Sequence, residues 1–177
     1  MYDQEYIDFL VHFHCDRDYF ECHEILEEHW KKDPPYNRKS YWVGLIQIAV
    51  GLYHQRRGNF AGALKMISNA LRILTKEKLA LSELGLHSND LLKQLKIRKA
   101  EILEEKAYYS INLPISDENL LGLCMQKCEI KQIPWGKESN LTDDDLIHKH
   151  KNRDRKEVIE ERQKQLAKRR AKRKDIK

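Results

Sequence analysis

The segment Tyr19 to Trp30, YFECHEILEEHW, holds the residues whose types and spacing offer chemistry. His23 and Glu27 stand four residues apart, which on a helix brings an imidazole and a carboxylate within reach on adjacent turns. Such a pair can move a proton, orient a ligand or begin a metal site. Advancing each residue by about 100° puts Tyr19, His23, Leu26 and Trp30 on one core-facing arc. Phe20 and Glu27 fall at its edge, while Glu21, Glu24 and Glu28 point to solvent. A buried carboxylate without a partner is costly, and His23 is the nearest partner for Glu27.

A second segment, YWVGLIQIAVGLYH from Tyr41 to His54, is apolar almost all round, the pattern of a helix wrapped by neighbours. Gly44, Gln47, Gly51 and His54 share one face, and two glycines there permit close approach of another helix. The expectation is that this face meets the His23 helix. The candidate cluster is then His23, Glu27, Trp30, Gln47 and His54, with Asn59 at the corner beyond. Three readings of it stay open: a structural contact that fixes helix packing, a pocket for a small ligand, peptide or anion, and a catalytic or metal centre. His23-Glu24-Ile25-Leu26-Glu27 has the outline of a metalloprotease helix, but Glu stands where a second His would be. No second Glu-x-x-His pair supplies the inward carboxylates of a di-metal bundle, so no metal is assigned. Serine-nucleophile elbows and glycine-rich phosphate loops are missing, and no cofactor is implied.

The elements that must position these residues are helices. Only 7 Gly and 4 Pro punctuate the chain, and apolar residues recur at helical spacing. The spacing predicts a helix over Asp3 to Phe13 and a second, capped by Asp16 or Asp18, to about Lys32, where Pro34-Pro35 stops it. A third runs from Ser40 to about Arg57. Gly58-Asn59 turns the chain, and Asn59 caps a fourth helix to about Lys78. Ser88-Asn89 opens a fifth through about Tyr109, and Ser116 or Asp117 caps a sixth to about Lys131. The expected fold is all-α: a compact antiparallel bundle of about six helices over residues 1–136. Residues 137–177 form a charged extension, helical after Thr142-Asp143-Asp144-Asp145 or partly disordered.

At three places the sequence resembles the bacterial domain-of-unknown-function family 309. Its His-x-x-x-Glu-x-x-Trp helix reads here as His23, Glu27 and Trp30. Its Gly-Leu-Ile-Gln helix reads as Gly44-Leu45-Ile46-Gln47, and its Gly-Asn-x-x-Gly-Ala corner as Gly58-Asn59-Phe60-Ala61-Gly62-Ala63. The match runs in order from about Tyr19 to Leu74. The resemblance implies an all-helical fold and marks the His23–Glu27–Trp30 cluster; it implies no activity.

The overall charge of +5 hides two unlike parts. From His148 to Lys177 there are 14 Lys/Arg and 5 Asp/Glu, whereas the preceding 147 residues carry a net charge of −4. Lys168, Arg169, Arg170, Lys172, Arg173 and Lys174 form a block that can hold RNA or DNA phosphates without reading sequence. A solvated, ion-paired helix is the alternative. No apolar leader or bilayer-length run is visible, so the expectation is a cytoplasmic chain without membrane contact. Cys15, Cys22, Cys124 and Cys128 are read as ordinary buried thiols of a reducing compartment. The reading of function is a helical binding or scaffold module, with an acidic partner or RNA on the tail and room for a homo-oligomer. The alternatives are a metal-assisted or acid/base hydrolase using His23 and Glu27, and a nucleic-acid-associated protein acting through its basic end.

Overall fold

The computed structural model describes residues 1–152, and among these the architecture is all-helical. α1 (Gln4–Val11) runs directly into a π-helical turn, His12–Asp16, which ends on Arg17 in the left-handed region at φ 59°. α2 (Tyr19–Lys32) follows, with the Asp18 carboxylate accepting from the Glu21 N–H at 3.0 Å. Beyond Pro34 a 3-10 turn, Pro35–Asn37, leads into α3 (Ser40–Arg56). The Asn59 side chain caps α4 (Phe60–Leu74) by accepting from the Gly62 N–H at 2.9 Å. α5 (Lys78–Glu83) is a short helix between the expected fourth and fifth, and α6 (Ser88–Leu103) comes next. Asp117 caps α7 (Glu118–Ile130), accepting from the Leu120 N–H at 2.8 Å. The caps expected at Asp18, Asn59 and Asp117 are therefore made.

α6 stops six residues before the expected Tyr109. Glu105 takes a left-handed conformation, φ 53°, and the Lys106 N–H returns to the Glu101 carbonyl at 2.9 Å. No glycine marks that stop in the sequence, because a glutamate occupies the place where glycine ordinarily ends a helix.

The chain packs as one body through Ile147, and the residues from His148 form a second unit, of which a single turn, Lys149–Asn152, is described. In the first body Tyr6, Phe9, Phe13, Tyr19, Leu26, Leu45, Ile48, Leu52 and Ile67 are fully buried. Each such side chain contributes about 1.5–3 kcal/mol by leaving water. Gly44 and Gly51 do permit close approach, but the helix they admit is α4. A Cβ at Gly44 would lie 2.4 Å from the Leu74 side chain, and one at Gly51 2.8 Å from Ile67. The face expected to meet the His23 helix is thus turned to α4 instead.

The reading of the cysteines as four thiols is corrected. Cys15 and Cys128 form a disulfide with Cα atoms 6.6 Å apart, joining the π-helical turn to the end of α7 across 113 residues of sequence. Cys22 and Cys124 remain buried free thiols, and burial pushes the Cys124 thiol up to about 12. Among the described residues no helix is long and apolar enough to cross a membrane.

Candidate functional site

α2 buries Tyr19, Cys22 and Leu26. That arc is rotated towards Cys22 from the expected one, so His23 lies at its edge, with 30% of its side chain exposed. Its Nε2 is 3.7 Å from the Glu27 carboxylate, itself 37% exposed. Its Nδ1 is 3.1 Å from the carboxylate of Glu24, a residue expected to point to solvent. His23, Glu24 and Glu27 each present a donor atom, and the three atoms lie within 4.8 Å of one another. The expected pair is therefore a half-exposed group of one imidazole and two carboxylates. On its far side Lys31 reaches the other Glu27 oxygen at 3.1 Å.

The remaining candidates lie elsewhere. Trp30 carries the Arg38 guanidinium over its ring at 4.5 Å, and its buried indole N–H has no acceptor. Gln47, in α3, keeps its amide oxygen buried and unpaired. His54 and Asn59 are together, with Nδ1 and Nδ2 3.0 Å apart, and the His54 carbonyl accepts from the Asn59 N–H at 2.9 Å. They build the α3–α4 corner. Among the described residues no hydrogen bond or ion pair joins His23 and Glu27 to Trp30, Gln47, His54 or Asn59. Lys168, Arg169, Arg170, Lys172, Arg173 and Lys174 lie outside the described residues.

A second polar assembly was not anticipated from the sequence, and it is sealed. Arg17, 1% exposed, donates from Nη1 to the carbonyls of Phe13 (2.8 Å) and Ile111 (2.6 Å). Its Nε donates to the Lys137 carbonyl at 2.7 Å and its Nη2 to the Asn112 side chain at 2.8 Å. Arg56 lies over the rings of Tyr19 (4.9 Å), Tyr53 (5.7 Å) and Tyr108 (6.0 Å). It donates to the Arg17 carbonyl and the Ser139 hydroxyl through Nη1, and to the Leu146 carbonyl through Nη2. Residues 137–147, grouped with the extension by their polarity, thus supply acceptors inside the core body. His14 is fully buried and stacks on Trp135 with ring centroids 4.2 Å apart. The Leu113 N–H can only donate, so His14 Nε2 accepts it (2.9 Å) and the ring proton sits on Nδ1, donating to the Leu10 carbonyl at 2.7 Å. Burial first, and then the neighbouring Arg17 charge, lowers this imidazole from 6.5 to about 4.

One signal for this assembly was present. Arg56 continues the stripe Leu45, Ala49, Leu52 in a helix that is apolar all round. Arg17, between Asp16 and Asp18, looks like an ordinary solvated charge.

The family described as "Domain of unknown function (DUF309)" matches residues 6–66, the span from α1 into α4 that holds His23, Glu27 and Arg56. The likeness reaches well beyond that span in one relative. The "Uncharacterized protein YpuF" of Bacillus subtilis (strain 168) is 52% identical over 169 residues, covering 96% of this chain and 97% of the relative. The chain belongs to the DUF309 family. No solved structure matches it. Membership assigns no reaction, so chemistry is argued from the site.

Proposed function

We propose that this DUF309 protein is a helical binding module, not an enzyme, and that the His23–Glu24–Glu27 face of α2 holds a divalent cation. The observation that carries this reading is the convergence of an imidazole and two carboxylates within 4.8 Å, half open to solvent. One nitrogen and two oxygens suit zinc or manganese, and open coordination positions would face a partner's anionic group. The Lys31 ammonium on Glu27 supplies part of the neutralising charge without a metal. Isothermal titration of the full chain with Zn²⁺ and with Mn²⁺ tests it. One-to-one binding lost in both His23→Ala and Glu27→Gln is expected, and binding that survives both variants sinks the proposal.

The alternative of acid/base hydrolysis by His23 and Glu27 rests on the same 3.7 Å approach. It needs turnover that disappears in Glu27→Gln while cation binding is not required. The cytoplasmic placement and the acidic or RNA partner of the basic end belong to this reading too. The Cys15–Cys128 bond weighs against that placement, since disulfides are rare in cytosolic proteins. Cell fractionation tests it: recovery of the chain with the cytosol is expected, and recovery in an extracytoplasmic fraction sinks the placement.

A further inference from the structure

A groove of about 510 Å³ opens where the end of α4 runs beside α6, lined by Leu71, Arg72, Thr75, Lys76, Lys96 and Lys99. Four of these six are cations, no carboxylate is among them, and among the described residues none of the four has an acidic partner. The C-terminal carbonyls of α4 account for Arg72 and Lys76 beside them. They do not account for Lys96 and Lys99 in the interior of α6, nor for Lys93, which continues the same three-residue spacing. The concentration is local. Residues 72–99 hold seven Lys/Arg against three Asp/Glu, whereas residues 1–33 hold three against ten.

The lining decides the kind of anion. It has no aromatic ring, so it offers no platform on which an unpaired base could stack. Lysine ammonium groups act as point charges towards phosphate and carry no geometry for reading a base edge. A polymer that shows closely spaced phosphates while keeping its bases stacked inside is a duplex. Lys93, Lys96 and Lys99 span about 9 Å along α6, and a duplex presents one charge per about 1.7 Å of its axis. We infer that the α4–α6 groove docks the phosphate backbone of double-stranded nucleic acid without selecting sequence. The inference uses none of the residues of the cation site and none of the basic tail.

The test measures anisotropy of a labelled 20-base-pair DNA duplex with the full chain across a salt series. The variant is Arg72→Gln/Lys76→Gln/Lys96→Gln/Lys99→Gln, made alone and together with Gln at the tail block Lys168, Arg169, Arg170, Lys172, Arg173 and Lys174. Four phosphate contacts correspond to about 3.6 in the slope of log affinity against log salt. The groove variant is expected to lose about that slope and at least about tenfold in affinity at low salt, whether or not the tail is changed. Lys96→Gln/Lys99→Gln should lose about half of it, which keeps the test informative if the quadruple variant folds poorly. Unchanged duplex binding in the groove variants overturns the inference. So does equal groove-dependent binding of a single strand or of tripolyphosphate, which would make the site a general polyanion trap.

Discussion

Residues 14–17 and residues 23–27 lie within three turns of one another in the sequence, and the fold treats their charges in opposite ways. At the first, a neutral imidazole and a guanidinium are closed off from water, and six backbone or side-chain groups satisfy them. At the second, an imidazole and two carboxylates face one another with about a third of each side chain exposed. A sealed polar group is held because removing it strands its partners, so it serves stability. A half-open group of like ligands gains little from the fold and remains available to something from solution. The contrast separates joint from site more clearly than residue type does.

The sharpest way to break the comparison is to open the sealed side. Reducing Cys15–Cys128, or replacing Cys128 by Ser, releases a 113-residue loop and is expected to cost about 4–5 kcal/mol in urea unfolding. A loss below about 1 kcal/mol would show that the neighbouring hydrogen bonds hold the segment alone. Arg17→Met should cost about 4 kcal/mol in the same assay, since the buried Phe13 carbonyl and three part-buried acceptors lose their donor. Acid sets the next scale. His14 titrates at about 4 when folded and near 6.5 when unfolded, so the unfolded chain binds the extra proton between those values. Its contribution is complete above about pH 6.5 and falls as pH drops towards 4, by about 3 kcal/mol in all. In His14→Leu that part of the pH dependence should vanish from thermal melts.

On the open side the expected changes in stability are small. His23→Ala should alter unfolding by no more than about 0.5 kcal/mol, while removing cation binding in the titration. A loss above about 2 kcal/mol would make His23 a joint after all and erase the contrast. The smallest effect is assigned to Lys31→Ala. Freeing the Glu27 oxygen should tighten the cation about two- to fivefold, and weaker binding would mean that Lys31 helps to orient the carboxylate.

Much of this fold was legible in local chemistry. Asp18, Asn59 and Asp117 are short polar side chains placed just before apolar-periodic runs, and each caps the helix it precedes. His23 and Glu27 meet because four-residue spacing is a local property of a helix. What did not show is what depends on pairing distant segments. Rotation of the buried arc by less than one residue moved His23 from the centre of the stripe to its rim. Glu24 reaches the ring through the conformation of its own side chain, which position on the helical wheel does not specify. The glycine face of α3 was read correctly as a close-approach surface, but its partner is chosen by Leu74 and Ile67 of α4. Nothing in the local sequence of Cys15 distinguishes it from Cys22, and its bond to Cys128 is fixed by tertiary placement.

The buried arginines bear on how this family can be cut. Arg17 and Arg56 both fall inside the matched span of residues 6–66, yet they are completed by Ile111, Asn112, Lys137, Ser139 and Leu146. A fragment ending near residue 66 would keep the guanidiniums and discard most of their acceptors. The stretch that matches the family is therefore smaller than the interior it belongs to, and grafting it into another protein would transplant that interior unfinished. A version that keeps every acceptor named here runs at least through Leu146.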